Sequence, residues 1–305
     1  MPVFADGRRC STRRFVRTGP TRSFLFVSQL PAEYMPHRSI NGCEYFYEVH
    51  GSGPETLAFG HGFLMTHRMW DAQIDALSDR YRCIVWDWRG QGQSSIPPTG
   101  YDVPDLARDV VALLDALDAT PCHYVGLSMG GFVGVDLLTH HPEVLRSAML
   151  LDTDAGAEST LHRLKYSAML ETVRRFGYDP VIGRTLPLLF GETFRREHPD
   201  ALQRWADRIT AQDPVGIVRA GHGIFRRDSR LVDLGTARTP TLLLTGAEDQ
   251  TTPPERAAEA HAALPNSRFV IVPHAGHSSP IEQPAVVNTH LTEFLTSLPA
   301  TERSV

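Results

Sequence analysis

HYVGLSMGGFVGVDLLTH, residues 123–140, is the stretch on which the fold of this chain turns. Residues 123–127 read as a short buried strand, and residues 129–140 as a helix stopped before Pro142, which cannot continue one. Their junction, Gly126-Leu-Ser-Met-Gly130, has the form G-x-S-x-G. A serine at so sharp a strand-to-helix turn is held in strained backbone geometry, and side chains at the flanking glycine positions would clash with neighbouring elements. The turn lifts the Ser128 hydroxyl to the edge of a sheet and aims the N-terminus of the next helix at it. A glycine-rich turn with a merely capping serine shares these letters. The strand–turn–helix setting, extended by Gly131, favours Ser128 as a nucleophile.

The same alternation spreads in both directions. Residues 43–49 alternate in the manner of an edge strand, and 51–54 form a turn. Further strands are expected at 55–59, 82–87, 147–151, 241–245 and 268–272. Helices are expected at 103–117, with Asp102 placed to cap it, and at 254–263 and 284–298. Strands alternating with helices imply a mostly parallel central sheet flanked by helices on both faces. Residues 155–235 break the rhythm: they are helical and Arg-rich, with no clear strand. The expected organisation is a core of 36–154 and 236–298, a helical cap insertion at 155–235 over the sheet edge where open α/β sheets bind ligands, an N-terminal extension at 1–35, and a tail at 299–305.

A serine hydroxyl is a poor nucleophile until a base takes its proton. In the order Ser…Asp…His, that base follows the last strand, where His274-Ala-Gly-His277-Ser-Ser-Pro280 stands. His277 lies further into the loop, after a glycine, and can reach the turn. His274, nearer the strand end, reads as structural. The imidazole needs a carboxylate to fix its tautomer. Asp249, directly after the strand at 241–245, is the first choice. Glu248 beside it points elsewhere, and Asp152 and Asp154 are the alternative acids. A tetrahedral oxyanion needs two backbone N–H donors. Met129 supplies one at a helix N-terminus, and Phe63, after Gly60-His-Gly62, the other. His61 reads as support for that loop. The glycine-rich 87–94 lacks the phosphate-loop pattern, which disfavours nucleotide binding.

The 305 residues allow one large α/β domain with an insertion. The net charge of −5 leaves no footprint for nucleic acid and no polybasic membrane anchor. Cys10, Cys43, Cys83 and Cys122 form no C-x-x-C pair, which disfavours a zinc site or redox dithiol and suits a cytoplasmic protein. Lys165 is the single lysine among 30 Lys and Arg residues, a bias of codon usage rather than chemistry. The Arg-rich stretch 1–35 reads as a poorly ordered or artefactual extension ahead of Met35, more than as a transit peptide.

Taken in order, His61-Gly-Phe63, Asp87-x-Arg-Gly-x-Gly-x-Ser94, Gly126-x-Ser-Met-Gly-Gly131, Gly246-x-x-Asp249 and Gly276-His277 resemble the α/β-hydrolase superfamily over about 40–298. Within it, residues 127–132, the helical cap and Gly191-x-x-Phe194…Asp213-x-x-Gly216-Ile-Val-Arg219 resemble small bacterial carboxylesterases and 3-oxoadipate enol-lactonases. The resemblance implies an α/β-hydrolase fold and a serine hydrolase acting on esters or lactones through an acyl-enzyme, with Ser128, His277 and Asp249 as triad. It implies no cofactor and no metal. The expected partner is a small-molecule ester or lactone, not nucleic acid or membrane, with a homo-oligomer allowed. Met65, Trp70, His222 and Phe225 are candidate pocket residues. The same triad also serves cofactor-free perhydrolases (haloperoxidases) and carbon–carbon bond hydrolases, and a small-molecule receptor on this fold is the non-enzymatic reading.

Overall fold

The inner strands are mostly apolar and buried on both faces. In β5 (Cys122–Leu127) every residue is buried, as in β3 (Thr56–Gly60), because helices cover both faces of the sheet. A computed structural model describes residues 36–299, so the extension expected at 1–35 and all but the first residue of the tail lie outside the described residues. The other strands are β1 (His37–Ile40), β2 (Cys43–His50), β4 (Arg82–Trp86), β6 (Leu145–Leu151), β7 (Thr241–Gly246) and β8 (Ser267–Val272). They build an eight-stranded sheet in the order β1-β2-β4-β3-β5-β6-β7-β8. The β1–β2 and β2–β4 pairs are antiparallel and the rest parallel.

The strand order reverses between β3 and β5. The chain leaves β3 to one side for β4, then crosses back to place β5 on the other. That is the topological switch point at which open α/β sheets form a crevice beyond their strand ends. Phe63 follows β3 and Ser128 follows β5, so both candidate residues stand at this crevice.

Helices α1 (Asp71–Leu77), α2 (Val103–Asp115) and α3 (Met129–His140) precede β6. Helices α9 (Pro254–Ala263), α10 (Ser279–Glu282) and α11 (Pro284–Ser297) follow β7. Between β6 and β7 run α4 (Thr160–Phe176), α5 (Asp179–Leu189), α6 (Glu192–Glu197), α7 (Pro199–Thr210) and α8 (Pro214–Ile224), a helical insertion without a strand. Ser159 caps α4 by accepting from the His162 N–H at 3.2 Å, and Asp213 caps α8 by accepting from the Val215 N–H at 2.7 Å.

Two local expectations are corrected. β2 is not the sheet edge: β1 lies outside it, pairing from His37–Phe46 to Ile40–Cys43. Three of the four β1 residues are exposed, so the strand carries no apolar alternation to read. Asp102 occupies the N-cap position of α2 without a side-chain cap bond; only its carbonyl joins the helix, accepting from the Leu106 N–H at 3.0 Å. Cys43, Cys83 and Cys122 are free and buried. Burial pushes the thiols of Cys83 and Cys122 up to about 12, so they act as small apolar side chains.

The first turn of α3 lies against the end of β3 with no room for a side chain. A Cβ on Gly130 would sit 2.1 Å from the Gly60 carbonyl oxygen, and one on Gly126 2.4 Å from the Gly130 carbonyl oxygen. Both obstacles are backbone. Gly130→Ala is therefore expected to lose about 3 kcal/mol of stability, read as a lower midpoint in chemical denaturation; an unchanged midpoint would mean that α3 can move aside.

Candidate functional site

Ser128 sits at φ 51° and ψ −110°, between the last residue of β5 and the first of α3. A leucine, methionine or serine held at positive φ is strained, and such strain persists where the surroundings fix it. Here they do: the Ser128 N–H donates to the Leu151 carbonyl at 2.9 Å, while its own carbonyl accepts from the Phe132 N–H at 2.8 Å and the Thr153 hydroxyl at 2.9 Å. The side chain makes no cap bond to α3. Its Oγ instead lies 2.8 Å from His277 Nε2.

His277 is buried, in the loop between β8 and α10. Its Nδ1–H donates to Asp249 Oδ2 at 2.8 Å. Asp249 is fixed in turn by the N–H groups of Thr251 (2.8 Å) and Thr252 (3.0 Å) and the Thr252 hydroxyl (2.8 Å). The structure thus joins Ser128, His277 and Asp249 in one hydrogen-bonded line. Burial alone would depress the imidazole pKa. The carboxylate of Asp249 at Nδ1, with Asp152 and Glu282 beyond it, outweighs that and holds His277 above its ordinary value of 6.5.

The other acids are placed differently. Asp152 touches neither Ser128 nor His277 by hydrogen bond. It accepts from the Gly246 N–H (2.8 Å), the Ser279 N–H (3.0 Å) and the Ser279 hydroxyl (2.6 Å). Burial, then the neighbouring Asp249, push its carboxyl up to about 7. Asp154 pairs with Arg227 and Arg256 at 3.1 and 3.2 Å. Glu248 turns away to Thr193 of α6, accepting from its N–H at 2.8 Å. His274 stays exposed at φ 58°.

Phe63, in the loop after β3, and Met129, the first residue of α3, flank Ser128. Neither N–H donates to a protein acceptor among the described residues, as the first amides of a helix and of a tight loop allow. His61 beneath them is neutral by design of its surroundings. Its Nδ1–H donates to the Gly62 carbonyl at 2.8 Å, Nε2 accepts from the Trp88 N–H at 3.1 Å, and burial lowers its pKa to about 4 against the pull of Asp87.

Above Ser128 and His277 opens a cavity of about 900 Å3, its mouth included, roofed by the insertion. Phe63, Phe132, Leu170, Val181, Leu189 and Ile217 line it, and Phe225 packs edge-on against Phe63 at 5.6 Å and stacks on Tyr166 at 4.4 Å. Of the four candidate pocket residues only Phe225 lines this cavity. Met65 and Trp70 are buried in the core, Trp70 against Phe59 at 5.3 Å, and His222 lies half-buried on α8 away from the lining.

Three contributors were not singled out from sequence. Glu282 accepts from the N–H groups of Gly276 (2.9 Å), Ser278 (2.9 Å) and Gly191 (2.8 Å), gripping the backbone on both sides of His277. Ser279-Pro-Ile-Glu282 carries the S-x-x-E letters of a capping box, but Glu282 reaches Ser278 instead, while the Ser279 N–H donates to Asp152. Gln91 and Gln212 hold the Phe63 loop, and nothing in the sequence marks them. Among the described residues, no group of three or more His, Cys, Asp and Glu side chains is arranged to hold a metal ion, and no helix is long and apolar enough to cross a membrane.

The alpha/beta hydrolase fold family matches residues 56–284. The chain belongs to that family. This α/β hydrolase is similar in structure to a thermophilic esterase from Thermogutta terrifontis, with a TM-score of 0.81 and 31% identity over 87% of this chain and 98% of that one. It is similar as well to the enol-lactonase from Burkholderia xenovorans LB400, with a TM-score of 0.81 and 26% identity over 86% of this chain and 100% of that one. In sequence it is 27% identical, over 83% of its length and 98% of the relative, to a protein of Agrobacterium fabrum provisionally named carbamate hydrolase RutD.

The two environments predict opposite titrations. By NMR, the His277 ring is expected to titrate above 6.5, whereas His61 should stay neutral until about pH 4. A His277 titrating below 6.5 would mean that burial, not Asp249, governs it.

Proposed function

We propose that this protein is a serine hydrolase that cleaves neutral, apolar carboxylic esters or lactones through an acyl-enzyme. The observation that carries this reading is the line Ser128 Oγ to His277 Nε2 to Asp249, each link 2.8 Å, opening directly into the apolar cavity. His277 takes the Ser128 proton as Oγ bonds to the substrate carbonyl carbon. The carbonyl oxygen becomes an oxyanion and accepts from the N–H groups of Met129 and Phe63. Collapse breaks the bond to the leaving oxygen, which His277 protonates. Water then attacks the acyl-enzyme, giving His277 its proton, and the acid departs as Oγ recovers it. Asp249 holds the Nδ1–H tautomer and offsets the positive charge on His277 in both steps.

The lining supports an uncharged substrate class. It holds no arginine or lysine, and its one acidic side chain, Glu158, is already tied to Arg227 at 3.1 Å. A substrate carboxylate would be buried there without a partner, which is costly. The reading therefore favours uncharged acyl chains over the free-carboxylate lactones that the name 3-oxoadipate enol-lactone denotes.

Activity is expected on p-nitrophenyl butyrate, with at least about a hundredfold lower kcat/KM on the p-nitrophenyl monoester of succinic acid, whose chain is of the same length but charged. Ser128→Ala should cost at least about a thousandfold; equal rates in both proteins would end the acyl-enzyme reading. Because His277 must be neutral to accept a proton, kcat/KM should be present at high pH and fall as pH drops through a pKa above 6.5. Asp249→Asn should cost about ten-thousandfold. Asp152→Asn should instead keep most activity and move the acid limb to lower pH, since a charge that raises the His277 pKa is gone. The reverse pattern would assign the triad acid to Asp152.

A further inference from the structure

Gly62 to Met65 is a tight turn, closed by the Met65 N–H donating to the Gly62 carbonyl at 3.1 Å. Phe63 and Leu64 are its central residues, and Leu64 stands at φ 68°. Positive φ at that third position is what a type II turn demands and what glycine supplies freely. Leucine does not, so this turn does not hold its shape by local preference and must be held from outside.

Two buried glutamines hold it. The Leu64 N–H donates to Gln91 Oε1 at 3.0 Å, and the Leu64 carbonyl accepts from Gln212 Nε2 at 2.6 Å. Gln91 belongs to the loop after β4 and also contacts Met129 Sδ through Nε2 at 3.6 Å. Gln212 belongs to the insertion, in the turn between α7 and α8. Its own side chain is oriented by the Gly92 N–H, which donates to Oε1 at 3.2 Å. Its backbone carbonyl accepts from the Tyr178 hydroxyl at 3.1 Å. The residue after Phe63 is thus gripped by the core through its N–H and by the insertion through its carbonyl.

We propose that Gln212 is a positioning residue that sets the Phe63 N–H, so that the reactivity of Ser128 depends on the insertion being seated. The inference rests on the acyl-enzyme reading, in which that N–H receives the oxyanion. With Gln212 removed, Leu64 is free to leave positive φ. The peptides around Phe63 then rotate, and a donor misplaced by about 1 Å can cost about a hundredfold in rate.

The test compares Gln212→Ala, Arg219→Met and the double variant Gln212→Ala/Leu64→Gly with the parent. Two readouts are taken: p-nitrophenyl butyrate kinetics, and the rate of labelling by a fluorophosphonate probe. In that labelling Ser128 Oγ bonds to phosphorus, fluoride leaves, the hydroxyl proton passes to His277 and the phosphoryl oxygen occupies the oxyanion position. Arg219 is a second tie from the insertion to the core, donating to the Ile96 and Pro97 carbonyls at 3.2 and 2.9 Å, but it does not touch the turn. Gln212→Ala is expected to lower kcat by roughly ten- to a hundredfold, to change KM by no more than about twofold, and to slow labelling by the same factor as kcat. Arg219→Met should leave both rates within about twofold, and Leu64→Gly, which accepts positive φ unaided, should restore most of the kcat lost by Gln212→Ala. Unchanged kcat in Gln212→Ala, an equal loss in Arg219→Met, or no recovery in the double variant each overturns the proposal. A parent whose Ser128 is not labelled overturns the acyl-enzyme reading first, and this inference with it; a labelled parent with an equally labelled Gln212→Ala overturns this inference alone.

Discussion

Gly130 brings the first turn of α3 against the Gly60 carbonyl, where a Cβ would have 2.1 Å of space. From that contact follow the sharp turn at Ser128, the direction of α3 and the nearness of the Phe63 loop to the helix N-terminus. The Tyr124 hydroxyl, donating to the Gly130 carbonyl at 2.7 Å, fastens the same turn from within β5. A side chain here would push the helix off the sheet and part Met129 from Phe63. Close backbone-to-backbone packing therefore lies where reacting groups must be held to fractions of an ångström.

Around His277 the fold solves a problem of crowding. Asp249, Asp152 and Glu282 are all buried near one imidazole, and like charges so close together resist joint ionisation. Their surroundings give them different tasks. Asp249 faces the imidazole itself, with Thr251 and Thr252 sharing its remaining lone pairs. Asp152, enclosed and beside Asp249, is pushed up to about 7. Glu282 is also raised by burial, against the pull of three backbone N–H groups, and its service is mechanical: it holds the loop that carries His277.

Much of this was legible from the chain itself, for physical reasons. Glycines at 126 and 130 answer a steric demand that no other residue meets, so they announce the turn wherever it occurs. Strands buried on both faces announce themselves by short, mostly apolar runs, and a helical insertion by their absence. The short, exposed β1 gave no such signal. Which way an aromatic faces in a loop was equally hidden: Trp70 turns into the core and Phe225 into the cavity, and their letters do not differ in kind. Gln91 and Gln212 illustrate the deeper limit. Amide side chains are ordinary in any loop, and these two matter only because they meet Leu64 from 27 and 148 positions away in sequence.

The cavity and the chemistry come from different stretches of the chain. Ser128, His277 and Asp249 stand on loops at the ends of sheet strands, whereas much of the apolar lining comes from α4, α5 and α8. Substitutions in those helices can widen, narrow or polarise the chamber without disturbing the proton path beneath it. Natural variation has a place to explore new molecules at little risk to the reactive machinery, much as a lock can be rekeyed without replacing its bolt.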